Sequence, residues 1–377
     1  MMPAQAFQLP EQQKGDLAGA VEALCKSLLE SKALELMMVP RKLPHGTMVQ
    51  HVLVKDVKAL EGLDPAAPVM LVNGGTLLAR LSRQDPQASL GAILRPCEIR
   101  AFVELVKLHQ GDRERVLILG LDCLGTMEPT QFESWAEKNP EASQLFLKSM
   151  LGQGNLPEGA PGIRTCCQAC EYPTAQGADI QLLLLGAQGT GWIALASTEK
   201  GKQALEAAGL KPAVVPEGRE AVVQELVSKR EKFRDSLLEQ VDLELVPLEK
   251  LLGELSRCIN CYNCRDVCPV CYCKSCVMDS STMEHPSYQY IRWAKRKGAI
   301  KMPAETLFYH MTRMAHMSTS CVGCGQCSSA CPMGIRVAEI FRAVARRTQA
   351  SFNYVAGRSL EEPLPLATFR EEELEPR

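Results

Sequence analysis

An α/β domain with a mixed, largely parallel sheet, followed by a smaller and mainly α-helical domain, is the architecture this sequence predicts. Three observations carry that expectation. Between Met48 and Gly120, short apolar runs alternate with helical stretches in the order strand, turn, helix, strand, the rhythm of an α/β sheet. Near the C-terminal end, the spacing Cys-x-x-Cys-x-x-Cys-x-x-x-Cys-Pro occurs twice. The insert between those two copies reads as helices at 288–297 and 304–317 rather than as strands. At 377 residues, 46% of them hydrophobic, the chain has room for two or three domains with proper cores.

Taken in order, residues 12–36 place Ala18, Val21, Leu24, Leu28 and Leu29 at helical spacing, with Cys25 expected as a buried apolar residue. The segment 40–46 breaks that pattern. A strand is expected at 69–72, a turn at 73–76, a short helix at 77–83, a strand at 90–94, a helix at 98–108 and a strand at 116–120. Residues 131–154 read as a polar helical excursion. Strands at 179–186 and 191–197 flank a Gly-rich turn, and helices follow at 199–208 and 217–239. The boundaries expected are 1–245 for the α/β domain, 246–349 for the helical domain with its insert, and 350–377 for an extended tail.

The repeated cysteine spacing has a definite chemistry. Soft thiolates three to a seven-residue stretch suit one cubane iron–sulfur cluster, and the Cys before Pro usually ligates the cluster of the other copy. That rule assigns Cys258, Cys261, Cys264 and Cys331 to one 4Fe–4S cluster, and Cys321, Cys324, Cys327 and Cys268 to a second. Zinc also takes Cys-x-x-Cys pairs, but the third Cys and the Cys-Pro after each trio argue against it. A long helical spacer resembles the ferredoxin arrangement of succinate dehydrogenase iron–sulfur subunits and of heterodisulfide reductase small subunits.

A third cluster is expected in the first domain. Cys97 and Cys123 each stand just past a strand end, where α/β sheets gather ligands. Cys170 and one of Cys166 and Cys167, with Cys167 preferred, complete the set. Cys271, Cys273 and Cys276 exceed the two-cluster count and are open to a further metal centre, a redox pair or free thiols.

Three segments carry a resemblance to a known family: Arg95-Pro-Cys-Glu-Ile-Arg-Ala101, Gly120-Leu-Asp-Cys-Leu-Gly-Thr126 and Cys167-Gln-Ala-Cys-Glu-Tyr-Pro173. They are similar to the beta subunits of deazaflavin-reducing hydrogenases and formate dehydrogenases. The run beginning at Cys258 is similar to the ferredoxin extension of the formate dehydrogenase members. The resemblance implies an oxidoreductase subunit active within a complex, with FAD beside one 4Fe–4S cluster and single electrons passing to a partner. The partners implied are a formate dehydrogenase catalytic subunit or a heterodisulfide-reductase-type flavoprotein, with a deazaflavin or nicotinamide as outer substrate.

No Gly-x-Gly-x-x-Gly fingerprint follows a strand. The residues offered to FAD are Asn73, Gly74, Gly75, Thr76, Arg95, Gly125, Thr126 and Gly189, with Arg100 as another phosphate partner. The alternatives are a flavin-free dicluster wire and a sulfite-reductase-type electron-input subunit.

The near balance of 42 basic against 44 acidic residues gives no nucleic-acid footprint. The N-terminus lacks a signal-peptide pattern, and no apolar run approaches the ~18 residues of a membrane span, so a cytoplasmic protein is expected. The basic run Arg292, Lys295, Arg296, Lys297 and Lys301 is either a solvated helix face or a patch for an acidic partner.

Overall fold

The computed structural model describes residues 5–10, 15–84, 88–187, 191–245, 247–283, 286–298 and 304–368. Among these residues, eight strands form one sheet: β1 (Gln5–Gln8), β2 (Leu36–Lys42), β3 (Val49–Val54), β4 (Leu90–Leu94), β5 (Val116–Leu121), β6 (Ile180–Leu183), β7 (Ile193–Ala196) and β8 (Lys211–Ala213). Their order is β3-β2-β4-β5-β6-β7-β1-β8. The run β2-β4-β5-β6 is parallel and forms the middle, and antiparallel strands close both flanks.

Every residue of β4 and β5 is buried, as expected of strands covered on both faces. Alternate side chains feed two cores. Ile93, Leu117 and Leu119 pack in one with α1 (Leu17–Glu30). Leu94, Val116 and Ile118 pack in the other with α2 (Gly74–Leu81) and α3 (Pro96–Lys107). Gly75 is required by the approach of α2 to α3, because a Cβ there would collide with the Glu98 carbonyl.

Two sequence expectations fail here. The first helix stops at Glu30, and 36–42 is the strand β2, paired with β3. A continuous apolar run such as Met37-Met38-Val39 fits a buried strand as well as a helix, and periodicity cannot separate the two. Residues 69–72 are loop rather than strand, and Asn73 is no turn residue but the N-cap of α2, its side chain accepting from the Gly75 N–H.

The polar excursion is two helices, α4 (Pro129–Ala136) and α5 (Ala142–Gln153). After α6 (Glu199–Ala207), the long α7 (Arg219–Leu245) bridges the domains. Its first half packs Val223 and Leu226 on the sheet domain, and its end gives Leu238, Val241 and Leu245 to a separate core. That second core is completed by α8 (Leu248–Leu255), α10 (Ala304–Met317) and α11 (Val337–Ser351), with α9 (Ser287–Lys297) outside it.

The segment after α11 returns to the first domain. Tyr354 and Ala356 pack on Ala101 of α3, and the buried Glu104 accepts from the Tyr354 hydroxyl and the Gly357 N–H. Arg100 of α3 donates to the carbonyls of Ala356 at 2.9 Å and Val322 at 3.2 Å, so it ties both domains to this return. No described helix is long and apolar enough to cross a membrane.

Candidate iron–sulfur sites

The short spacing in each repeat folds as a loop closed by a single helical turn, at Asn263–Asp266 and Gln326–Ser329. Each such turn starts from a left-handed residue, Tyr262 in one and Gly325 in the other. The loops wrap two cavities. Cys258, Cys261, Cys264 and Cys331 line one. Cys268, Cys321, Cys324 and Cys327 line the other. The grouping follows the crossed pairing read from the sequence. Among the described residues no three Cys, His or acidic groups converge tightly enough for a single metal ion. A tetrahedral zinc would draw its thiolates to about 3.8 Å from one another.

Burial, and then the neighbouring thiols, push Cys268 up to about 12. Cys324 is pushed up to about 11, again mainly by burial. Thiols packed this way resist ionising together, so thiolate formation needs a cationic centre between them, which suits an iron–sulfur core.

A third group stands in the first domain. Cys97 lies in the first turn of α3, Cys123 just past β5, and Cys166, Cys167 and Cys170 in and after the single turn Thr165–Gln168. Cys97 is held high by burial, by Glu98 and then by the charges of Cys123, Cys324 and Cys170. Cys123 is pushed up to about 11 by burial and by Cys167. Cys166 Sγ lies 4.0 Å from Cys167 Sγ; its thiol also donates to the Cys324 carbonyl at 3.6 Å and packs where a Cβ on Gly325 would sit.

Three arginines frame this group. Arg164, 4% exposed, donates to Thr126 Oγ1 at 2.8 Å, to Ser329 Oγ at 3.2 Å and toward Cys167 Sγ at 3.7 Å. Arg230 of α7 donates to the carbonyls of Cys123 at 3.2 Å and Cys170 at 3.5 Å. Arg342 of α11 donates to those of Cys166 and Ala169 and pairs with Glu171. Beside Cys123, the buried Asp122 forms a two-pronged pair with Arg219 and accepts from the Leu184 and Leu185 amides. Sequence reasoning missed all of these arginines, since each acts from a distant segment or from a position with no motif of its own.

Two family models match the regions that hold these thiols. Residues 254–335 match the 4Fe-4S dicluster domain. Residues 88–215 match the C-terminal part of the coenzyme F420 hydrogenase/dehydrogenase beta chain. Residues 88–215 are thus similar to part of that beta subunit, and the thiols of Cys97, Cys123, Cys166, Cys167 and Cys170 fall within the matched stretch.

Relatives agree along nearly the whole length. The F420-dependent formate dehydrogenase subunit beta of Methanocaldococcus jannaschii is 29% identical over 378 residues, 91% of this chain and 93% of that protein. The subunit beta of F420-dependent formate dehydrogenase 1 of Methanococcus maripaludis is 29% identical over 390 residues, covering 93% of each. A chain of the F420-reducing NiFe hydrogenase complex of Methanosarcina barkeri shares the fold, with TM-score 0.51 at 15% identity over 66% of this chain and 94% of that one.

Within the first domain, the residues offered to a flavin make these bonds. The Gly74 N–H donates to Glu98 Oε1 at 2.9 Å and the Gly75 N–H to Asn73 Oδ1 at 3.0 Å. Thr76 Oγ1 reaches the Pro269 carbonyl at 3.5 Å. Arg95 is the N-cap residue of α3 and donates to the Ala67 carbonyl. Gly125 packs on Ile163, while Thr126 serves Arg164 and lies 3.3 Å from Cys167 Sγ. Arg100 is bonded to carbonyls and stacks over Tyr172. Gly189 lies outside the described residues.

In the dicluster domain, Cys271 feels the charges of Cys273 and Cys276, so the three extra thiols are neighbours, with Cys273 exposed. Arg292, Lys295, Arg296 and Lys297 lie on α9, outside the second core, and Lys301 lies outside the described residues.

Proposed function

We propose that this chain is the iron–sulfur electron-transfer beta subunit of an F420-linked formate dehydrogenase or hydrogenase complex, with three 4Fe–4S clusters in series. The clusters are held by Cys97, Cys123, Cys167 and Cys170; by Cys268, Cys321, Cys324 and Cys327; and by Cys258, Cys261, Cys264 and Cys331. When bound, they supply one-electron carriers.

The observation that carries this reading is contiguity. Arg164 and Cys166 sit between the first-domain thiols and Cys324, so the first set adjoins the second. Arg313, 3.3 Å from Cys264 Sγ, also lies among the charges of Cys268 and Cys327, so the second adjoins the third. Three thiol sets in a row through buried protein suit a relay from the sheet domain to the exposed Cys261. The outer ends are a deazaflavin on one side and a catalytic or heterodisulfide-reductase-type subunit on the other. The chain is a cytoplasmic member of such a complex.

FAD in the beta-subunit domain belongs to this proposal as the group that would split a hydride into single electrons. No residue is assigned to it. A flavin-free relay is the second reading, favoured by the internal bonding of the Gly74 and Gly75 amides.

The test is anaerobic titration of the purified chain with reduced F420, together with its flavin content. Bleaching of the cluster absorption with stoichiometric FAD supports F420-linked entry. Clusters that dithionite reduces but F420 does not, in protein free of flavin, would leave the wire reading.

A further inference from the structure

We infer that α10, the second helix of the insert, sets the reduction potential of the cluster held by Cys258, Cys261, Cys264 and Cys331, through Tyr309, His310 and Arg313. The inference rests on the proposal that a cluster occupies that site.

Three side-chain donors from one helix converge on two of the four ligand sulfurs. The Tyr309 hydroxyl lies 3.2 Å from Cys264 Sγ. Arg313 Nη1 donates to the same sulfur at 3.3 Å. His310 Nε2 lies 3.4 Å from Cys258 Sγ. All three are buried: Tyr309 is 1%, His310 2% and Arg313 5% exposed.

Their arrangement is not explained by packing alone. His310 Nδ1 is buried without a partner, so a proton there would be a buried donor with no acceptor, and the ring carries its proton on Nε2, aimed at Cys258. Arg313 lies over the rings of Tyr309 and Phe341, which hold the guanidinium in place. Backbone N–H groups of Asn260 and Ile335 supply the ordinary loop bonds to Cys258 and Cys331, and the α10 donors add to them.

Cluster potential responds to hydrogen bonds on the sulfurs, to net charge and to solvent exposure. Donors and a positive charge favour the reduced, more negative cluster. Removing them must lower the midpoint.

The experiment is potentiometric EPR titration of the anaerobically purified full chain, with iron content measured on each sample. The signal missing from a Cys261→Ala variant identifies this site. Tyr309→Phe is expected to keep the iron of the unsubstituted chain and to shift that one midpoint downward. Arg313→Gln is expected to keep the iron, to lower the same midpoint, and to lower by less that of the neighbouring cluster site its charge also faces. Arg313→Lys, which keeps the charge, is expected to fall nearer the native value. Tyr309→Phe is also expected to lose a deuterium-exchangeable proton coupling at this signal.

An unchanged or raised midpoint with full iron overturns the inference. So does iron loss in Tyr309→Phe, which removes a single oxygen, because the residue would then serve assembly. Absence of iron from the unsubstituted chain would instead contradict the proposed function.

Discussion

The two cysteine-bearing regions place their thiols by opposite means. In the dicluster domain three thiols of each set come from seven consecutive residues, and only the fourth arrives from the other repeat. In the first domain, Cys97, Cys123 and the pair Cys167 and Cys170 come from three separate segments, brought together by the parallel order β4-β5-β6 and by α7 and α11. A compact loop needs little beyond its own turn. The dispersed set depends on buried ion pairs and on arginines reaching across domains. It follows that the same perturbation of long-range structure should damage the dispersed set and spare the compact ones.

The largest expected contrast comes from Asp122→Ala. It leaves Arg219 partly buried and unpaired and strips two amides of their acceptor, at a cost of about 3–5 kcal/mol to the sheet domain. Urea unfolding should show an early first transition, with about four irons lost and the dicluster signals kept. Loss of all iron together would merge the two regions into one cooperative unit.

Arg100→Ala is next. Two buried carbonyls lose their donor, and the return segment that joins α3 to the Cys321 loop loosens, at about 1–3 kcal/mol. Faster proteolysis of residues 352–364, with iron content unchanged, is the outcome that fits.

A smaller effect should appear with acid. Burial pushes the Glu171 carboxyl up, but the guanidinium of Arg342, with Arg234 behind it, overcomes this and holds it below its ordinary 4.5. Its stabilising contribution at the domain junction is therefore complete above about 4.5 and lost as pH falls through the lower folded value. Glu171→Gln should make the loss of stability on acidification below about pH 4.5 shallower. An unaltered pH profile would remove this pair from the junction.

What the sequence disclosed follows the same divide. Periodic spacing in one segment was readable: the two cysteine repeats, the strands β4 and β5, and the helices of the insert. Sequence also flagged Cys97 and Cys123, because strand ends are where sheets place ligands, and with them Cys170 and one of Cys166 and Cys167 from a loop between strands. It could not reveal Arg164, Arg230 or Arg342, whose roles exist only once distant segments meet. β2 was hidden because its four consecutive buried residues, Met37 to Pro40, show no alternation. Gly74 and Gly75, read as a turn, are the start of a helix pressed against α3.

The most direct test of the central claim is iron and sulfide content of the anaerobically purified chain beside Cys97→Ala. Three clusters in series require about twelve irons, falling to about eight in the variant, with the dicluster EPR signals intact. About eight irons in both proteins would contradict the first-domain cluster and shorten the relay to its two compact sites.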